Sequence, residues 1–300
     1  MVKFAVEQKV YRIGDVEIGG QPGERPTVLI GSLFFGGHAI VRDRQRGLFD
    51  EAKAECLLER EAAVAAETGN PRFVDVVGDT GEALIRYLEF VACHCAAPLL
   101  VDSPSPQARL EAVRHFCGSE VMPRLIYNSI DEHCTDEELA ALREYGVKSA
   151  VLLALSNRAV RPVDRLALLR DCLLPAAQRA GIENILVDTG VLDIPSVGWA
   201  AEAIRLVKEE LGYPTGCAPA NAIYLWKKMR AKGAPAFEAA SAVVFTLPQS
   251  LGANFIFYGP MRNAPWAYPA AATMDAMIAH TGRLNKVRPA TQTHPLYKIF

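Results

Sequence analysis

The sequence has 300 residues, of which half are hydrophobic and 22% charged, and its formal net charge is −2. This composition is typical of a globular protein with enough apolar material for a large core. The small, evenly mixed charge argues against nucleic-acid binding, which needs a basic surface. The longest apolar runs fall well short of the ~20 residues of a membrane-spanning helix, so we expect no membrane insertion.

The N-terminus, MVKFAVEQKV, has no long apolar core and no small-residue cleavage site, so we expect no secretory signal. Seven cysteines are present and none forms a CxxC pair. Most lie in helix-like segments among Ala and Leu, so we expect small buried hydrophobes in a reducing cytoplasm. The CHC at 93–95 is a poor zinc site because residues i and i+2 of a helix point to different faces, and we predict no bound metal.

Short apolar runs alternate with segments of helical period along the whole chain. The predicted strands are 27–35, 72–79, 97–103, 124–130, 149–155, 184–193, 213–221 and 254–260. The predicted helices are 50–69, 80–95, 105–117, 135–146, 162–181, 197–212, 222–233, 235–252 and about 268–283. Thr135 and Glu138 form a capping signature at the start of the fourth helix.

Continuous apolar strands separated by helices indicate a parallel sheet that is covered on both faces. Eight such units in this length favour an α/β fold of the closed (β/α)8, or TIM, barrel type. Residues 9–20 fall outside the repeat, and Gly14-Asp15 between alternating residues predicts a β-hairpin. We expect this hairpin to close the N-terminal mouth of the barrel. No low-complexity linker is present, which indicates a single domain over residues 1–300.

Polar residues follow several of the predicted strands, and in such barrels active sites lie at the C-terminal strand ends. Any one of these residues could simply cap the next helix. Together on one rim they predict a site for a polar ligand. The residues are Asp75 or Asp79, Asp102-Ser103, Asn128-Ser129, Asp188 and Asn221.

The chemistry of the ligand follows from a set of carboxylates and amides with few cations. Phosphate is disfavoured, since carboxylates repel it and no glycine-rich phosphate loop is present. The sequence also lacks GxSxG and HExxH. A planar ligand with several donors fits better, and an aminopyrimidinone is one, because a carboxylate accepts from both its ring N–H and its amino group.

Five segments stand out together: KVYRIGDVEIGGQPGERPTVLIGSLFF, LVDSPSPQARLEAV, IYNSI, ILVDTGVLD and GCAPANA. They resemble the H subunit of tetrahydromethanopterin S-methyltransferase and its relatives, the methylcorrinoid:tetrahydrofolate methyltransferases of bacterial methylamine and glycine betaine metabolism. The wider group of pterin-binding barrels has the same fold and a similar Asp/Asn arrangement. The resemblance therefore implies that Asp102, Asn128 and Asp188 anchor a pterin, and that Gly216 and Asn221 belong to the loop near its N5 atom. It implies a further anchor after the second strand, where Asp75 and Asp79 compete.

The resemblance also implies the reaction, in which a methylated corrinoid of the methylcobalamin type gives its methyl group to N5 of tetrahydrofolate. Asn221 is then the candidate catalytic residue, and it would orient N5. The chain has no DxHxxG corrinoid motif, and the nearest sequence, around His133, ends in Asp. We therefore expect the corrinoid on a separate protein that docks transiently against the loops 36–47 and 259–269. Met261, Trp266 and Tyr268 would either pack against the corrin ring or serve as ordinary loop anchors.

Several alternatives remain open at this point. The substrate could be tetrahydromethanopterin, with the chain forming one component of that methyltransferase. A lyase-type barrel, such as an aldolase, usually carries a lysine at a strand end, whereas Lys148 precedes its strand. A scaffold protein would have no need of the rim carboxylates. We expect a cytoplasmic homodimer, and the upstream methyl donor cannot be read from the sequence.

Overall fold

Eight parallel strands close into a barrel in the computed structural model, which describes residues 3–299. The barrel strands are β3 (Val28–Leu33), β6 (Arg72–Val77), β7 (Leu99–Asp102), β8 (Leu125–Ile130), β9 (Ser149–Leu153), β10 (Asn184–Asp188), β11 (Thr215–Cys217) and β12 (Phe255–Pro260). They follow one another around the barrel in chain order, and β12 pairs with β3 to close it. The predicted (β/α)8 barrel is confirmed.

Helices connect the barrel strands and cover them from outside. They are α1 (Glu51–Thr68), α2 (Gly81–His94), α3 (Pro106–His115), α4 (Asp136–Glu144), α5 (Pro162–Leu168), α6 (Leu174–Arg179), α7 (Ser196–Glu210), α8 (Pro219–Leu225), α9 (Lys227–Arg230), α10 (Ala234–Ser250), α11 (Ala264–Gly282) and α12 (Pro295–Lys298). A π-helical segment, Leu169–Leu173, joins α5 to α6. Within residues 3–299, no helix has the length and apolar character needed to cross a membrane.

The interior of the barrel is filled by apolar side chains from alternate strand positions. These inward residues form one buried cluster that includes Ile30, Phe73, Leu100, Ile126, Val151, Leu186 and Phe257. The residues between them face outward and pack beneath the helices in two further clusters. The barrel is therefore a packed core without a pore, and its inner layer forms a floor beneath the C-terminal mouth.

A hairpin closes the opposite, N-terminal end of the barrel, as predicted. It consists of β1 (Val10–Ile13) and β2 (Val16–Gly19), which pair antiparallel. Ile13 and Ile18 are fully buried in the same cluster as the barrel interior. The buried Lys208 fixes the exit of the hairpin, since its Nζ donates to the backbone oxygen of Gly20 at 2.9 Å and to Asn254 Oδ1 at 2.7 Å.

The structure differs from prediction around the seventh barrel strand. β11 ends at Cys217, and α8 begins at Pro219, a residue favoured in the first turn of a helix. Asn221 therefore lies on α8 and does not end a strand. The helix predicted over 222–233 is interrupted at Trp226, where the backbone leaves the helical conformation.

Two predicted loops contain regular structure. Two short strands, β4 (Val41–Asp43) and β5 (Leu48–Phe49), pair antiparallel in and just beyond the segment 36–47. The segment 259–269 mostly forms a short 3₁₀ turn, Met261–Asn263, followed by the start of α11.

The prediction for the cysteines was wrong for most of them. All seven lie within the described residues and are free thiols, but only Cys95 and Cys217 are buried. The others lie partly or fully at the surface of their helices and loops, because an amphipathic helix among Ala and Leu also has an outer face.

The hairpin plug gives a first prediction. Replacing Ile18 with Ala should lower the free energy of unfolding by about 2–5 kcal/mol, because the substitution leaves a cavity in the closed end of the barrel. Urea denaturation measures the loss. Val10→Ala in the same hairpin is the control and should change stability by less than ~0.5 kcal/mol, since Val10 is exposed. Equal effects of the two substitutions would show that the hairpin does not pack as a plug.

Candidate functional site

The inward-facing pattern continues to the C-terminal strand ends, where the side chains become polar. Each of these polar residues lies two positions after an apolar residue of the floor, so it projects into the same mouth. The set comprises Ser32 on β3, Asp75 on β6, Asp102 on β7, Asn128 on β8 and Asp188 on β10. β9 contributes Leu153 at the same level. The mouth thus has carboxyl, amide and hydroxyl groups above an apolar floor.

Asp75 is buried beneath this mouth and is only partly satisfied. Its side chain is 4% exposed, and its Oδ2 accepts from Ser32 Oγ at 2.7 Å. Its Oδ1 is buried and accepts no hydrogen bond from any residue between 3 and 299. The side chains of Asp102 and Asn128 interact with this carboxyl group. Asp75 therefore joins Ser32, Asp102 and Asn128 in one polar cluster at the base of the mouth.

Asp75 and Asp102 form a carboxyl pair that resists full ionisation. Burial raises the pKa of Asp75 to about 6. Burial, followed by the negative charge of Asp75, raises the pKa of Asp102 well above its usual value, and the positive charge of Arg109 partly opposes this. Two close carboxyl groups titrate as a pair, so burial and their mutual repulsion favour retention of one proton by the free site. A ligand that donates hydrogen bonds would relieve this charge repulsion.

Asn128 lies beside this pair on the next strand. It is opposite Asp102 in the ladder between β7 and β8. The register between β8 and β9 shifts immediately after it, and the Asn128–Ser129 peptide bond is cis. The side-chain amide is half-buried and supplies both a donor and an acceptor to the mouth.

Asp188 closes the other side of the mouth. It is 8% exposed, and its Oδ1 accepts from the backbone N–H of Gly190 at 2.7 Å. Burial raises its pKa to about 6, whereas the Gly190 N–H and the charge of Arg165 act to lower it. Gly216 is its ladder neighbour on β11, and a Cβ there would lie 2.1 Å from the backbone oxygen of Phe255. Only glycine therefore fits between Asp188 and β12 without a shift of the backbone.

The structure distinguishes the two second-strand candidates. Asp75 lies within β6 and joins Asp102 and Asn128, whereas Asp79 lies in the following loop. Asp79 forms an ion pair with Arg44 at 2.7 Å. Four of the proposed pterin-binding residues thus converge at the mouth: Asp75, Asp102, Asn128 and Asp188. Gly216 lies in the barrel wall, and Asn221 is exposed on the first turn of α8, at the rim.

Met261, Trp266 and Tyr268 were left as either corrin-ring contacts or ordinary loop anchors, and the structure shows where each lies. Met261 and Tyr268 are fully buried, and the Tyr268 hydroxyl donates to Glu61 Oε1 at 3.3 Å. Trp266 packs against Phe245 with ring centroids 5.3 Å apart. Met261 anchors the 3₁₀ turn before α11, and Trp266 and Tyr268 pack on α11 itself, so the alternative of a corrin contact was wrong for the buried Met261 and Tyr268.

Three polar residues around the mouth were missed from the sequence. Ser32 carries no signal, because a serine near a strand end is common. Arg109 and Arg165 lie in helices that look ordinary, yet both side chains are buried and reach back to the strand ends. A cleft of about 250 Å³ also borders the mouth between the loops that follow β8 and β9, with Leu153, Val160 and Leu192 among its walls.

Comparisons with known proteins give one consistent result. Residues 6–289 match the family model described as tetrahydromethanopterin S-methyltransferase MtrH subunit. The H subunit of tetrahydromethanopterin S-methyltransferase from Methanopyrus kandleri is 36% identical over 310 residues, which cover 96% of each chain. The protein of the same name from Methanocaldococcus jannaschii is 34% identical over 319 residues, with 100% of each chain covered.

Dihydropteroate synthases are among the solved structures similar to this chain. The Yersinia pestis enzyme, solved with a pterin–sulfa conjugate, has a TM-score of 0.63 at 13% identity and covers 90% of this chain and 99% of its own. The Xanthomonas albilineans enzyme, in complex with 7,8-dihydropteroate, has a TM-score of 0.58 at 19% identity, with 89% and 98% covered. At these identities the likeness shows the shared barrel fold.

The burial of Asp75 gives a prediction about stability. Its folded pKa is raised, so the stability it contributes is present at low pH and is lost as the pH rises through about 6. Asp75→Asn removes this ionisation and should increase the free energy of unfolding at about pH 8 by about 1–3 kcal/mol. The advantage should shrink as the pH falls toward about 4. Denaturant unfolding at several pH values measures both effects.

Asp79→Asn is the matched control for that experiment. Asp79 is partly exposed and paired with Arg44, so its replacement should change stability by less than ~1 kcal/mol at any pH. A loss of stability in Asp75→Asn at high pH would mean that the Asp75 carboxylate is stabilising in the free protein.

Proposed function

Since the chain belongs to the MtrH family of tetrahydromethanopterin S-methyltransferase and is a methyltransferase, we propose that it transfers a methyl group between a corrinoid and N5 of a tetrahydropterin. The pterin assignment rests on the set of polar side chains at the C-terminal mouth of the barrel. The carboxyl groups of Asp75, Asp102 and Asp188 and the amide of Asn128 lie together at the C-terminal strand ends, where Asp102 and Asn128 are partly exposed.

The pyrimidinone half of a pterin matches this set of acceptors. Its ring N–H and exocyclic amino group donate in one plane to carboxylates, and its carbonyl oxygen and ring nitrogens pair with an amide such as that of Asn128. The apolar floor beneath, formed by residues such as Leu100 and Ile126, would support the face of the ring. An anionic phosphate ligand has no comparable match, because carboxyl groups dominate the mouth.

The residues of this chain would act by alignment. The methylated corrinoid of a partner protein supplies the methyl group, and N5 of the pterin must lie in line with it. Fixed orientation of two reactants contributes about 7–11 kcal/mol to lowering a barrier. Asn221 is exposed at the rim on α8, where its amide would hydrogen-bond N5 and hold its lone pair toward the incoming methyl group. An amide is not a base, so water would take the N5 proton.

The names of the relatives guide the choice between tetrahydromethanopterin and tetrahydrofolate as the methyl carrier. Their names specify tetrahydromethanopterin, whereas the resemblance seen in the sequence led us to expect tetrahydrofolate. We propose tetrahydromethanopterin as the carrier. The anchors at the mouth would contact only the bicyclic ring that both carriers share, so tetrahydrofolate is the comparison that tests this choice.

The corrinoid would arrive on a transiently bound partner. The sequence has no DxHxxG motif, and His133, the nearest histidine to one, is exposed in a turn. The partner would dock over the C-terminal mouth, where the loop containing β4 and β5 and the segment of α8 and α9 form the rim. We retain the homodimer as part of the proposal, with sedimentation as its test.

Binding and turnover of defined substrates test the function directly. The purified chain should bind tetrahydromethanopterin more tightly than tetrahydrofolate by calorimetry, and with either pterin it should slowly demethylate free methylcobalamin. Asp188→Ala should weaken pterin binding by about 2–4 kcal/mol, because it leaves pterin donors unpaired in a buried site. Asp79→Ala, on the same face but paired with Arg44, should bind normally. Failure of the wild-type chain to bind either pterin would refute the proposal.

Asn221 provides a separate prediction about alignment. Asn221→Ala should reduce turnover by about 10²–10³ while changing pterin affinity little, because the contact acts mainly in the transition state. Asn221→Asp should slow methylation of the pterin and move its pH optimum upward, since a carboxylate favours protonated N5. Steady-state kinetics across pH measure both changes. Wild-type turnover and an unmoved pH profile in both variants would place the side chain outside the site.

A further inference from the structure

Two buried arginines lie behind the mouth, each on a helix that follows a barrel strand. Arg109 on α3 is 8% exposed and Arg165 on α5 is 0% exposed. Burying a guanidinium group is costly unless its donors are satisfied and its charge is balanced. What each side chain contacts therefore indicates what it does.

Arg165 donates only to backbone oxygens. Its Nε reaches Val160 at 2.8 Å, and its Nη1 reaches Thr189 at 2.8 Å and Gly190 at 3.0 Å. Its Nη2 is buried and has no partner within residues 3–299. Thr189 and Gly190 directly follow Asp188, and the Gly190 N–H binds the Asp188 carboxylate. The guanidinium thus holds the peptide turn that orients Asp188.

Arg109 makes similar contacts with the backbone beside Asp102 and Asn128. Its Nη1 donates to the backbone oxygen of Ser103 at 2.5 Å, and its Nη2 donates to that of Ser129 at 3.4 Å. These serines directly follow Asp102 and Asn128. The Nη2 of Arg109 also pairs with Glu138 Oε1 at 3.1 Å, so a carboxylate on α4 balances its charge. Among the described residues Arg165 has no such bonded carboxylate, and the Asp188 carboxylate is the anion that acts on it.

We propose that Arg165 is a positioning residue for pterin binding, which holds the turn after Asp188 and balances the charge of the Asp188 carboxylate from behind. Arg109 holds the residues after Asp102 and Asn128 in the same way, and its charge also acts on Asp102, although it is paired with Glu138. The inference rests on the pterin-binding function proposed above and adds to it: the carboxylate that accepts pterin donors depends on a cation that does not touch the pterin.

The groups around Asp188 make this dependence testable by pH. Those that act on its carboxyl group are the Gly190 N–H, Arg165 and, on β11, the thiol of Cys217. Burial raises the pKa of that thiol well above its usual value, so it stays neutral. Arg165 is the cation in this set. Loss of its charge should therefore raise the pKa of Asp188 above about 6 and favour the protonated form, which accepts fewer hydrogen bonds.

The experiment compares two replacements of Arg165 that differ in charge. Arg165→Gln keeps a donor for the backbone oxygens without the charge, and Arg165→Lys keeps both a donor and the charge. Affinity for tetrahydromethanopterin and for tetrahydrofolate is measured by calorimetry from about pH 5 to pH 9. Wild-type affinity should fall as the pH drops through about 6. In Arg165→Gln the midpoint should rise by about one unit, so binding at the acidic end weakens about ten-fold relative to wild type, while the two proteins converge at the alkaline end. Arg165→Lys should keep the wild-type midpoint.

Two controls separate this role from a purely structural one. Arg124 also donates to backbone oxygens, those of Ala92, Cys95 and Ala97, but at the N-terminal end of the barrel. Arg124→Gln should lower stability without moving the binding midpoint. In an Asp188→Asn background the carboxyl group on which Arg165 acts is absent, and only the Asp75–Asp102 pair still titrates, so Arg165→Gln should cause no further shift.

The outcomes are distinct. A midpoint that rises in Arg165→Gln but not in Arg165→Lys supports the proposal. An equal loss of affinity at every pH in both variants, or a shift that persists with Asp188→Asn, would overturn it. If Arg165→Gln does not fold, Arg165→Met refolded in the presence of pterin replaces it, with the same expected shift. Absence of pterin binding by the wild-type protein would refute the proposed function itself.

Discussion

The whole site depends on the alternation of side chains along the barrel strands. Inward positions recur every second residue, and the packed interior accepts only apolar side chains until the strand reaches the mouth. Phe73 and Leu100 fill the floor, and the next inward positions are Asp75 and Asp102. A polar side chain one step deeper would lie among Ile and Val without a partner. The top of the apolar layer thus decides how deep in the barrel Asp75 and Asp102 lie.

This placement makes the carboxyl groups at the mouth good hydrogen-bond acceptors, but their burial does not stabilise the folded protein. Asp75 and Asp188 lie deep enough that burial raises the pKa of each to about 6, yet the mouth above leaves Asp102 and Asn128 half-buried. The free protein therefore holds carboxyl groups whose ionisation costs stability, as is common at functional sites. The N-terminal hairpin seals the other end of the barrel with apolar side chains, so the two ends differ: one is closed by packing and the other carries the polar groups of the proposed site.

The sequence predicted the barrel and the polar rim, because the hydrophobic periodicity and the polar residues that follow each apolar run can be seen in short stretches of sequence. It did not distinguish Asp75 from Asp79, since both occupy the same phase of the alternation and only the end of β6 at Val77 separates them. Asn221 was placed on a strand although Pro219 can start a helix, as it does. Arg109 and Arg165 could not be found, because their role consists of contacts with residues 6 to 29 positions away along the chain.

The distribution of polar groups around the mouth also orients the proposed substrate. β3, β6, β7 and β8 are adjacent and carry Ser32, Asp75, Asp102 and Asn128, whereas β11 and β12 carry no charged side chain at the mouth. The donor-rich pyrimidinone edge of a pterin would face the polar strands, with Asp188 closing the set from β10. The opposite part of the bicyclic ring, which contains N5, would then lie toward β11 and β12. This is the side on which α8 begins, so the proposed orientation, which satisfies the carboxyl groups, would bring N5 toward Asn221 and would leave it accessible from the open face of the barrel.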